Sequence, residues 1–177
     1  MIYNEVTGDL IELTLAGNFD VITHGCNCFC TMGAGIAVKM NRQFGCNSAS
    51  TFKLESEKQR GNINKLGCIE DHEREIVIWN NQYPADLTHE VKKIIVINSY
   101  TQYYYGKNGY KFGRYKIPLD YDALTMCLRK INFKYPGKKL GLPMIGCTHG
   151  GGDWSRVQNI IKTELRDTEV TVVKFNQ

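Results

Sequence analysis

Residues 23–37 read THGCNCFCTMGAGIA. His24, the alternating Cys26, Cys28 and Cys30, and the turn Gly33-Ala34-Gly35 fall within this one stretch. Three chemistries use such residues. A structural zinc site needs thiolate or imidazole ligands that converge tetrahedrally, usually as two pairs. Alternating cysteines on an extended segment share one face, but no second pair follows, and Cys46 and Cys68 stand alone. A dithiol redox site wants Cys-x-x-Cys, which the chain lacks. The cysteines therefore read as small, soft residues packed behind a loop. The glycines support the third chemistry. A strand that runs into a glycine loop and then a helix presents outward N–H groups and the positive end of a helix, which suits a phosphate. The pattern fits neither the dinucleotide fingerprint G-x-G-x-x-G nor the Walker loop ending in Gly-Lys-Ser/Thr.

A second stretch repeats the arrangement. In LPMIGCTHGGGDW, residues 142–154, Gly146, Gly150, Gly151 and Gly152 surround Cys147, Thr148 and His149. Two such loops at the ends of two strands can close on a diphosphate from both sides, where an open α/β sheet is expected to hold its ligand. Neither loop clusters carboxylates or histidines, so no metal ligands are assigned and no cofactor is expected. The net charge of +4 is scattered rather than gathered into a patch. It is compatible with an anionic ligand and does not demand nucleic acid.

The elements that must position these loops follow from periodicity. Short, apolar, β-branched runs predict strands over 21–23, 75–79, 93–100, 139–146 and 169–175, several buried on both faces. Helical stripes run through 35–44 (Ile36, Met40, Phe44), 120–133 (Tyr121, Leu124, Leu128, Ile131) and 153–165 (Trp154, Val157, Ile161, Leu165). Asp120 and Asp153 are placed to cap the last two. A weaker helix is expected over 48–58, and long surface excursions over 80–93 and 103–118. Strands alternating with helices predict an α/β fold, a three-layer α/β/α sandwich on a mixed sheet, as one domain over 1–177. No apolar run approaches the roughly 20 residues of a membrane span. The first residues, MIYNEVTGDL, lack a signal-peptide pattern. The expectation is a cytoplasmic monomer with reduced thiols and no membrane partner.

With both loops in view, the chain resembles a macrodomain, the ADP-ribose-binding module, over nearly its whole length. TGDL (residues 7–10), HGCNCFCTMGAGIAVKM (24–40), LPMIGCTHGGGDW (142–154) and VTVVKF (170–175) carry the resemblance. The His-x-Cys-Asn-Cys run is most similar to the ADP-ribose 1″-phosphate phosphatase branch. MGAGIA is also seen in the branch that removes ADP-ribose from glutamyl and nucleic-acid targets.

The resemblance implies roles residue by residue. Asp9 accepts a hydrogen bond from the adenine amino group, with Leu10 beside it. Gly33, Ala34, Gly35 and Ile36 give backbone N–H groups to the phosphates. Gly146, Cys147, Thr148, His149, Gly150 and Gly151 form the opposing wall. Tyr100, with the tyrosines that follow it, flanks adenine or the distal ribose. His24, Asn27 and His149 form the expected catalytic set, with Asn27 at the distal ribose. A histidine there can activate water, protonate a leaving group or attack phosphorus. The branch that acts through a lysine and an aspartate should carry the lysine where this chain reads NSYTQ (98–102) and the aspartate near Gly150. Both are missing, which favours phosphatase chemistry, or hydrolysis assisted by substrate and bound water. Release of ADP-ribose from modified protein, nucleic acid or a related metabolite, and non-catalytic binding of ADP-ribose, remain alternatives.

Overall fold

The computed structural model describes residues 2–47, 60–79, 89–105 and 117–175. In chain order it forms β1 (Ile2–Thr7), α1 (Leu10–Leu15), β2 (Val21–Asn27), α2 (Gly35–Phe44), β3 (Ile69–Trp79), β4 (His89–Gln102), α3 (Tyr121–Lys134), β5 (Lys139–Pro143), α4 (Trp154–Glu164) and β6 (Glu169–Lys174). A short 3₁₀ turn, Ile63–Lys65, precedes β3. The six strands form one mixed sheet in the order β1-β6-β5-β2-β4-β3. All neighbours are parallel except β3, which runs antiparallel to β4.

Both faces of the sheet are covered, which explains the unbroken apolar runs. On one face Val21, Ile97, Leu140, Leu142, Val170 and Val172 meet Leu124, Leu128 and Ile131 of α3 and Val157 and Ile161 of α4. On the other, Ile22, Ile94, Val96 and Val173 meet Leu10 and Ile11 of α1 and Met40 and Phe44 of α2. Successive residues such as Val21 and Ile22 therefore point into different layers, as the period of two requires. Each such fully buried aliphatic side chain contributes about 1.5–3 kcal/mol.

The three-layer α/β/α architecture and mixed sheet agree with the sequence, and several boundaries move. β2 continues through His24-Gly25-Cys26-Asn27, four residues beyond the strand expected over 21–23. β5 stops at Pro143, so Met144, Ile145 and Gly146 belong to the second glycine loop. β3 and β4 are longer than expected, and residues 89–93 are strand rather than surface excursion. β1 and α1 had no periodic signal: β1 is a largely exposed edge strand, and α1 has only six residues. The helix expected over 48–58 lies outside the described residues, as do residues 80–88 and 106–116 of the two excursions. No helix among the described residues is long and apolar enough to cross a membrane.

Candidate functional site

The cleft lies across the C-terminal ends of the parallel strands and encloses about 960 Å³. Following the sheet order, its lining passes from Asp9 after β1, through Val173 and Phe175 at the end of β6 and Pro143 to Gly150 after β5, to Gly25 and Asn27 of β2 and Gln102 and Tyr105 at β4. Thr31, Gly33 to Ala37 and Lys39 complete it from the first loop and α2. Asp9 and Lys39 are the charged side chains among these residues.

The first loop is shaped by Asn27. Its Oδ1 accepts from Phe29 N (3.1 Å), Thr31 N (3.2 Å) and Thr31 Oγ1 (3.1 Å), and its Nδ2 donates to Thr31 O (2.9 Å). This is an Asx turn closed on itself. Asn27 borders the cleft, but its side chain is committed to the loop rather than poised for catalysis. The loop delivers the chain to α2, whose N-cap is Ala34 with no side-chain hydrogen bond to the helix. Asp9, Asp120 and Asp153, by contrast, cap α1, α3 and α4 through Ile11 N, Ala123 N and Arg156 N, all at 2.8–2.9 Å. The helix end that opens on the cleft thus keeps its first-turn N–H groups and partial positive charge for a ligand.

The second loop folds back on itself. Gly152 N donates to Gly146 O (2.9 Å), and Gly150 O accepts from Leu119 N (3.0 Å). A Cβ on Gly150 would collide with the Gly146 carbonyl, so this close return demands glycine. The fold brings His149 against the other loop. A Cβ on Gly35 would sit 3.3 Å from His149 Nδ1, and Gly35 itself has φ +60°, where a side chain is strained. The two loops meet at this point, and His149 lies in the cleft wall.

Several expected roles are corrected. His24 does not reach the cleft. It is fully buried on the α1–α2 side of the sheet, with Nε2 2.8 Å from Asn98 Oδ1 and 3.9 Å from Cys46 Sγ. Asn98 Nδ2 donates to Cys46 O (2.7 Å) and to His72 Nε2 (3.2 Å), so its Oδ1 accepts from a neutral His24. Burial pushes the His24 pKa down to about 4 against the opposing Asn98 bond. Tyr100 is also buried, its hydroxyl donating to Glu70 Oε2 (2.8 Å), and Tyr105 borders the cleft in its place. Leu10 packs in the core under α1, and Gly151 lies outside the lining. The remaining expected residues, Asp9, Gly33, Ala34, Gly35, Ile36, Gly146, Cys147, Thr148, His149 and Gly150, converge on one cleft. The sequence reading missed Lys39, Thr31, Gln102 and Phe175. Lys39 was findable, since it lies one turn beyond Gly35 and Ile36 on a helix already placed at the loop. Cys26, Cys28 and Cys30 are buried free thiols behind the first loop, as their alternation suggested.

No family model matches the chain. It is 29% identical over 179 residues to a 17.5 kDa protein from the tk–vs intergenic region of Enterobacteria phage T4, covering 99% of this chain and 97% of that one. It superposes on the macrodomain of Thermus aquaticus DarG with TM-score 0.62 and 19% identity, over 99% of both chains. With Thermosipho africanus DarTG, solved in complex with ADP-ribose, it shares TM-score 0.62 and 18% identity over 99% of this chain and 41% of the other. The chain has the macrodomain fold.

Proposed function

We propose that the chain binds ADP-ribose or a close derivative in this cleft and hydrolyses ADP-ribose 1″-phosphate to ADP-ribose and inorganic phosphate. The observation that carries this reading is the uncapped N-terminus of α2, facing a second glycine loop across a cleft that ends at a carboxylate. The diphosphate rests on the N–H groups of residues 33–36 and against residues 146–150. Adenine lies toward Asp9, and the distal ribose toward Asn27 and Gln102. A similar fold solved with ADP-ribose supports the choice of ligand. Water attacks phosphorus, the bond from phosphorus to the 1″ oxygen breaks, and that oxygen takes up a proton. With His24 buried, His149 is the histidine in the cleft wall able to carry a proton to the leaving oxygen or from the water. Backbone N–H groups meet the charge that develops in the transition state.

A second reading, release of ADP-ribose from modified protein or nucleic acid, uses the same cleft. Tyr104 and Tyr105 favour it, stacked 4.5 Å apart at the β4 end, because they offer a flat aromatic face beyond the distal ribose.

Phosphate release from ADP-ribose 1″-phosphate, followed alongside calorimetric titration with ADP-ribose, tests the proposal. Wild type is expected to bind and turn over, and His149→Ala to bind while losing about 10²–10⁴-fold in rate. Binding without phosphate release overturns the phosphatase and moves the assay to modified targets. No binding overturns the ligand itself.

A further inference from the structure

Asp9, Lys39 and Phe175 meet at one end of the cleft. Asp9 Oδ1 is already engaged, capping α1 through Ile11 N at 2.8 Å and Glu12 N at 3.4 Å. The free lone pairs are therefore on Oδ2, and Lys39 Nζ holds that atom at 3.1 Å. The same ammonium sits 4.5 Å from the centroid of the Phe175 ring. Phe175 is exposed, so its face is open to a planar group once the ammonium leaves. Lys39 thus covers both groups that a purine would use here, an acceptor for its amino group and an aromatic face for its ring.

Taking the cleft as the ADP-ribose site proposed above, we infer that Lys39 is a specificity-determining latch at its adenosine end, which a base must displace from Asp9 and Phe175 before it is read. Two consequences follow from the donor and acceptor inventory. Adenine brings an exocyclic amino donor, which competes with the ammonium for Asp9 Oδ2. Hypoxanthine brings a carbonyl oxygen at the same position, which repels the Asp9 carboxylate but accepts from the Lys39 ammonium. The lysine therefore weakens binding of adenine and sustains binding of hypoxanthine. It flattens the discrimination that Asp9 alone would impose. The latch is also light. It is an ion pair whose lysine is half-exposed, joined to an exposed cation–π contact, and each is a weak interaction in water. A ligand held by its diphosphate can open it.

The test is calorimetric titration of ADP-ribose and inosine diphosphate ribose into wild type and Lys39→Met, which keeps the apolar stem and removes the charge. Lys39→Gln serves as a second variant should the first perturb the helix. The expected result is several-fold tighter binding of ADP-ribose by the variants, several-fold weaker binding of the inosine ligand, and so a wider adenine-over-hypoxanthine ratio. ADP-ribose binding that is unchanged or weaker in both variants, or a ratio that does not widen, overturns the latch. Wild type that fails to bind ADP-ribose overturns instead the reading of the cleft on which the latch depends.

Discussion

At the scale of single residues, His24 shows how a reactive side chain can be diverted into structure. Its neighbours on the same sheet face are Asn98, Cys46, Cys26 and His72, a buried polar patch that continues the apolar face of Ile22, Ile94 and Val96. A neutral imidazole there has a linkage consequence. The folded pKa, about 4, lies below the ordinary histidine value of 6.5. Above pH 6.5 neither state is protonated at this site. Between 6.5 and 4 the unfolded chain takes up the proton and the folded chain does not, so stability falls with pH across that window. A shift of this size corresponds to about 3 kcal/mol. Urea unfolding of wild type from pH 7.5 to 4 is therefore expected to lose stability, with His72, also held below its ordinary value by burial, adding to the slope. His24→Gln should flatten the curve, and an unchanged slope would remove His24 as its source. The position was legible in principle. Counting by two from the inward-facing Ile22 puts His24 on the same buried face, one residue beyond the strand expected over 21–23.

At the scale of elements, the four α-helices among the described residues differ at their N-termini in a way that the fold does not require. Three are capped by aspartate, and the N-cap of α2, Ala34, makes no side-chain hydrogen bond to the helix. An N-cap of aspartate over alanine is worth about 0.5–2 kcal/mol, and Ala34 already has the extended backbone that a cap adopts. Ala34→Asp should therefore raise the thermal midpoint. It should also abolish ADP-ribose binding, because the new carboxylate takes the N–H groups and repels the diphosphate. Calorimetry and a thermal melt on one sample check both. A variant that is stabilised and still binds would show that the α2 terminus is not the phosphate cradle. The helices and central strands were readable because both sheet faces are buried and their periodicity is unbroken. β1 and α1 were not, since an exposed edge strand and a six-residue helix bury too few residues to leave a pattern.

At the scale of the whole molecule, the sheet order decides what the cleft can hold. β1, β6, β5, β2 and β4 stand side by side with parallel directions, so all five C-terminal ends open on one edge. At about 4.8 Å between strands, four intervals span about 19 Å, the reach of an elongated ligand lying across the strands rather than along one of them. The segments that meet such a ligand are distant in sequence, namely Asp9 and stretches within residues 25–39, 102–105, 143–150 and 173–175. Only the sheet brings them together, which is why Phe175, at the end of β6, was out of reach of a motif-based reading. Hydrogen exchange with and without ADP-ribose should show this arrangement. Protection is expected at once in the first loop and opening turn of α2, in the second loop, and in the turn at Asp9. None is expected in the connections at the opposite edge, residues 17–20, 135–138 and 165–168. Protection confined to one loop would reduce the site to a simple phosphate cradle. Protection at the opposite edge would mean that the ligand binds elsewhere. Protection in all three segments together would show a single ligand spanning the strand ends, the one placement from which Asp9 and His149 both contact it.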